Sequence, residues 1–190
     1  MKKPPYEFKT KKELIGYIWE YYKLWIIGAA IVLIAAISLI SSIASKPKYD
    51  YDIAVSTSET LSTEETQAIA DAFAALGRDV DGNGAISVNV TDYRIGGDTG
   101  DDTYGYADQV KFTGDAELCT SAIYIMDEDT KAQVTDMGMF GGEPFAWRSG
   151  NTTYYVNIRA KSGKFETDKK KSAEYDAALE LFNALKASCG

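Results

Sequence analysis

Residues 24–43, LWIIGAAIVLIAAISLISSI, hold no charged side chain over about the 20 residues that an apolar helix needs to cross a bilayer core. This stretch divides the chain into a short leading part and a long trailing part. Trp19, Tyr21, Tyr22 and Trp25 cluster at its leading edge, where aromatic rings favour the headgroup level. Lys2, Lys3, Lys9, Lys11, Lys12 and Lys23 precede it against only Glu7, Glu13 and Glu20. That bias places the N-terminus in the cytoplasm and the trailing part outside the cell membrane. Ser42-Ile43-Ala44 has the small residues that a signal peptidase accepts, so a cleaved leader is the competing reading. The length of the apolar core and of the segment before it favours an uncleaved, single-pass anchor.

Before the stretch, Thr10-Lys-Lys-Glu13 has the form of a capping box, and Leu14, Ile15, Ile18, Trp19 and Tyr22 recur at helical spacing. Residues 1–23 therefore read as a cytoplasmic tail and an interfacial helix that runs into the span. Residues 44–50 read as a linker, and 51–190 as one extracellular domain, long enough for a single core.

The first 45 residues carry a net charge of +3 and the remainder −11, against −8 for the whole. An acidic outer part argues against nucleic acid or anionic lipid as its partner and suits divalent cations. The lipid bilayer is expected as a partner only through residues 24–43. The chain has no His, which removes the commonest general base and the commonest zinc ligand. Cys119 and Cys189 both fall on the outer side, where they either pair with each other or stay as one buried and one terminal thiol.

In the outer part, residues 51–56 (YDIAVS) predict a first strand. Residues 62–76 predict a helix with Ser62 as N-cap and Ile69, Ala72, Phe73 and Leu76 on one face. Residues 86–95 predict a second strand and 96–108 a loop. Residues 110–120 predict a short strand or turn with a helix from Asp115, and 122–126 (AIYIM) a third strand. Asp127-Glu128-Asp129 caps a helix over 130–137, 138–150 reads as loop around Gly141-Gly142 and Pro144, 152–160 as a strand, and 172–187 as an amphipathic helix. Strands alternating with helices predict an α/β fold, a three-layer domain with a mainly parallel sheet.

The order YDIAVS, TEETQAIADAFAAL, ISVNVTDYRI, SAIYIMD and TKAQVTDMGMF, closing on Gly138-Met139-Phe140, resembles the N-terminal lobe of type II extracellular solute-binding proteins of bacterial transporters. The resemblance covers residues 51–140. Tyr21-Tyr22-Lys23 before the span and Lys48-Tyr49-Asp50-Tyr51 after it resemble uncharacterised single-pass membrane proteins of Gram-positive bacteria. The resemblance implies one lobe of a binding protein, half of a ligand cleft.

One segment carries site chemistry. Asp79-Val-Asp81-Gly-Asn83-Gly84-Ala85-Ile86 has the first half of an EF-hand-like calcium loop. Asp79, Asp81 and Asn83 stand at positions 1, 3 and 5, Gly84 at the sharp turn, Ala85 offers its carbonyl and Ile86 packs inward. The twelfth position is Val90, where a bidentate Glu belongs. The same residues are also good turn formers between a helix and a strand, so Ca2+ binding at Asp79, Asp81, Asn83 and Ala85 and a plain turn both stand. Asp98, Asp101 and Asp102 lie beyond the intervening strand, on the order of 30 Å away at about 3.3 Å per residue, out of reach of the loop.

No nucleophile is accompanied by a base, and Asp127/Asp129 and Asp101/Asp102 read as caps and solvated loops. The expectation is a non-enzymatic membrane-anchored binding or interaction module, acting through a membrane or envelope protein or through self-association. The alternative is a protein that captures or senses a small-molecule ligand whose identity is unknown.

Overall fold

The strand that the rest of the long trailing part is built on is YDIAVST, and in the computed structural model it forms β1 (Tyr51–Thr57). The structure describes residues 10–44, 48–95 and 103–189. β1 is paired on both sides and buried almost throughout, so its apolar run has no solvent face to alternate with. β2 (Val88–Arg94) lies parallel on one side, with Tyr51 opposite Val88. β3 (Ile123–Met126) lies parallel on the other, with Ile53 opposite Ile123. β5 (Thr152–Ile158) runs antiparallel to β3, and β4 (Phe145–Ser149) antiparallel to β5. The sheet order is β2-β1-β3-β5-β4, and β5 alone runs against the others.

The helices are α1 (Lys11–Ala44), α2 (Thr63–Ala74), α3 (Thr103–Leu118), α4 (Glu128–Thr135), the single turn α5 (Lys164–Thr167) and α6 (Lys169–Ser188). Because strand side chains alternate, each sheet face buries its own cluster. Ile53, Val55, Ile123 and Ile125 meet Ile69 and Phe73 of α2 and Leu181, Phe182 and Leu185 of α6. Ala54, Tyr124 and Met126 meet Phe112 of α3 and Val134 of α4. In the second cluster Tyr93, Phe112, Tyr124 and Phe140 stack edge to face at 5.4–5.7 Å, a favoured aromatic geometry.

The chain divides into two compact units, Met1–Pro47 and Lys48–Gly190. In the first, α1 is one uninterrupted helix, about 50 Å long at 1.5 Å per residue. Trp19–Ser38 within it is long and apolar enough to cross a membrane. That segment is exposed along its length, with Leu24, Trp25 and Val32 at 77, 79 and 69%. Residues 1–9 lie outside the described residues.

Several expectations are corrected. Residues 103–108 belong to α3 rather than a loop, and residues 110–114 continue it instead of forming a strand or turn, running into the helix expected from Asp115. The inner face of α3 includes a buried carboxylate, Asp115, which accepts from the hydroxyls of Tyr93, Ser121 and Tyr124 at 3.1, 2.8 and 2.9 Å. A charged residue in that position masks the helical apolar period. Residues 145–149, read as loop, form β4, whose Phe145 and Trp147 point to the core behind the Gly141-Gly142-Pro144 breakers. The sheet is mixed, because the β4–β5 hairpin adds two antiparallel ladders to the two parallel ones. Of the two readings of the cysteines, the structure has the unpaired one, with Cys119 buried and Cys189 exposed. Cys119 is sealed in the core with its thiol toward the Ser162 carbonyl, while Cys189 caps the exposed end of α6.

Candidate functional site

The loop between α2 and β2 is assembled by β1. Gly77 leaves α2 against the Tyr51 ring, where a Cβ would come within 2.8 Å of the ring edge. The Tyr51 hydroxyl accepts from the Arg78 N–H at 3.0 Å and donates to the Arg78 carbonyl at 3.2 Å. Asp50, one residue before β1, then grips both ends of the loop. One of its oxygens accepts from the N–H groups of Val80 and Asp81 at 2.8 and 3.1 Å. The other accepts from the Ser87 N–H at 2.8 Å and its hydroxyl at 3.0 Å.

Inside the loop Asp79 accepts from the N–H groups of Gly82, Asn83 and Gly84 at 2.6, 3.2 and 2.8 Å. Asp81 accepts from Asn83 N–H at 3.0 Å, and the Asn83 side-chain oxygen accepts from Ala85 N–H at 2.8 Å. Gly82 and Gly84 have φ of 75° and 86°, the left-handed region that glycine takes without strain. The chain thereby closes a tight turn around its own carboxylates.

Carboxylate oxygens of Asp50, Asp79 and Asp81 lie within 4.8 Å of one another. The structure thus brings together two of the four expected ligands, Asp79 and Asp81, and adds Asp50. Asn83 and Ala85 sit exposed in the same turn, with the Asn83 side chain directed to the Ala85 backbone. Asp98, Asp101 and Asp102 lie outside the described residues. Asp50 carries no local signature in the sequence, because it stands 29 residues before the loop and reaches it only through the parallel β1–β2 register.

Burial pushes the Asp50 carboxyl up, but the hydrogen bonds from Ser87, Val80 and Asp81 outweigh it and hold the group below its ordinary value. The Gly84 N–H leads the hydrogen bonds that likewise lower Asp79. The donors gathered here are all hard oxygens, which fits calcium or magnesium and not a thiophilic metal.

A second concave feature lies at the other end of the sheet. The connection from β1 through α2 goes to one side of β1, and the one from β2 through α3 crosses to the other. Open α/β sheets characteristically bind ligands outside the strand ends at such a reversal. A cleft of about 350 Å³ opens there, lined by Ser58, Glu59, Glu65, Asp127, Asp129 and Tyr154 among others, with no Lys or Arg among the described residues of its lining. Asp127 is the N-cap of α4, as its sequence position predicts. It accepts from Thr130 N–H at 2.8 Å and from Ser58 N–H and hydroxyl at 2.7 and 2.9 Å. Burial raises Asp127, and these bonds together bring it below its usual value. Glu65 closes a capping box with Ser62 at the start of α2. Tyr154 is buried at the cleft, whereas Tyr155 is half-buried under Lys131 and Tyr106 is exposed.

Protein-family models, curated proteins and solved structures were compared with the chain, and none of them matches it.

Because Asp50 is held below its ordinary value in the folded state, it stabilises the fold above its unfolded pKa of about 3.9. That contribution disappears as pH falls through the lower folded value. Asp50→Asn should therefore be less stable than the parent at neutral pH, with the gap narrowing below about pH 4. Urea unfolding of both chains across that range measures it.

Proposed function

We propose that the chain is a single-pass membrane protein with its N-terminus in the cytoplasm. Its outer three-layer α/β domain is a non-enzymatic binding module that engages a membrane or envelope protein or a second copy of itself. The observation that carries this reading is the uncovered apolar segment Trp19–Ser38 in front of a unit with its own buried core. Lysines before the segment and aromatic rings at its edge support the orientation, and the two separate core clusters support the layered reading. In sealed cells an impermeant protease should digest the part after Pro47 and spare an epitope placed at the N-terminus. Protection of the outer part would overturn the orientation.

The acidic cleft favours a second reading, capture or sensing of a solute by a domain like one lobe of a solute-binding protein. Its position at the strand reversal and its size, at the lower end of ligand-pocket volumes, are the grounds for it.

In either reading the loop of Asp79, Asp81 and Asn83, with the Ala85 carbonyl and the added Asp50, is a Ca2+ site that ties α2 to β2. Thermal melting of the chain in detergent should rise with calcium over chelator, by about 2.7 kcal/mol when calcium is a hundred times its Kd. Asp79→Ala should abolish the rise. A calcium-dependent shift that survives Asp79→Ala would remove the site.

A further inference from the structure

Asn83 is followed by Gly84 in an exposed turn whose hydrogen bonds hold the two residues in one arrangement. The Gly84 nitrogen, which has no side chain to screen it, is fixed by its N–H bond to Asp79 at 2.8 Å. The Asn83 side-chain oxygen accepts from the Ala85 N–H at 2.8 Å. This bond folds the carboxamide back over the backbone of the next residue and draws electron density from its carbon. A nucleophile, an electrophile and an N–H donor for the developing oxyanion thus lie within three consecutive residues. Gly84 tolerates the required backbone, with φ of 86° and open space where a Cβ would stand.

We propose that Asn83 is a self-modification site, converted by its own loop to aspartate and isoaspartate through a cyclic imide. The Gly84 nitrogen attacks the side-chain carbonyl carbon of Asn83, forming a C–N bond, and its proton passes to the Asp79 carboxylate that accepts its N–H and from there to solvent. The negative oxygen of the tetrahedral adduct is held by the Ala85 N–H. The adduct collapses with loss of the side-chain nitrogen, which takes up a proton and departs as ammonia. Water then adds to one of the two imide carbonyls. Opening at one C–N bond yields aspartate at position 83, and opening at the other yields isoaspartate. No oxidant, reductant or cofactor enters the balance.

The consequence concerns the adjoining carboxylates. Position 83 is the neutral member of the set Asp50, Asp79, Asp81 and Asn83, and conversion to aspartate adds a fourth negative charge to it. In a calcium loop, ligand charge is one of the determinants of affinity, so the conversion tightens cation binding as the protein ages. This consequence rests on the calcium reading above. The conversion itself does not, and it is measured by mass rather than by metal binding.

The test incubates the full chain in detergent with chelator at mildly alkaline pH, folded and in guanidinium, and follows the peptides bearing Asn83 and Asn151 by mass spectrometry. Asn151, which precedes Thr152 in the exposed turn between β4 and β5, reports background conversion. The expected result is conversion at Asn83 about tenfold faster in the folded chain than in the unfolded one, with Asn151 unchanged. Conversion at Asn83 that is equal or slower in the folded chain overturns the proposal.

Discussion

The second unit, Lys48–Gly190, depends on β1 being buried on both faces and paired on both edges. Ile53 and Val55 go to one cluster and Ala54 to the other, all of them closed to solvent. β2 pairs along the whole of one edge and β3 along residues 53–56 of the other, so the driest part of the strand has ladder partners on both sides. β1 also organises the molecule beyond its own length. Asp50 and Tyr51 at its start clamp the α2–β2 loop. At its end the Ser56 carbonyl accepts from the Asp127 N–H and the Thr130 hydroxyl, which fixes the start of α4.

This arrangement separates two chemistries by the length of one strand. At the N-terminal end, backbone N–H groups converge on carboxylates that would otherwise repel one another, and the loop remains ordered around them. At the C-terminal end the carboxylates of Asp127 and Glu65 serve the first turns of α4 and α2, where negative charge is favoured by the helix dipole. Similar acidic composition thus does different physical work at each end. In one case a turn is closed on itself, and in the other a cleft wall is built from helix starts.

Much of the fold was legible because its signals are local. Ser62 with Glu64 and Glu65 marks the start of α2, Asp127 marks α4, and YDIAVS reads as a strand from its apolar run. The misread segments share a cause, since their decisive partners are distant. Asp115 looks like the start of a helix rather than part of the buried face of a longer one until Tyr93 and Tyr124 bring their hydroxyls to it across the second cluster. Phe145 to Ser149 looks like loop until β5 supplies its ladder. In the site, Asp79 and Asp81 were recognisable from spacing, whereas Asp50 enters through strand register and could not be seen in the spacing.

Asp50 is the clamp that turns an apparent surface loop into a fixed part of the sheet. Hydrogen exchange at the amides of Val80, Asp81 and Ser87, measured residue by residue in the parent and in Asp50→Ala, tests that most directly. The clamp predicts that these three amides exchange about as slowly as those of β1 in the parent and far faster in the variant, while the amides of β3 change little. Fast exchange at all three in the parent would contradict it.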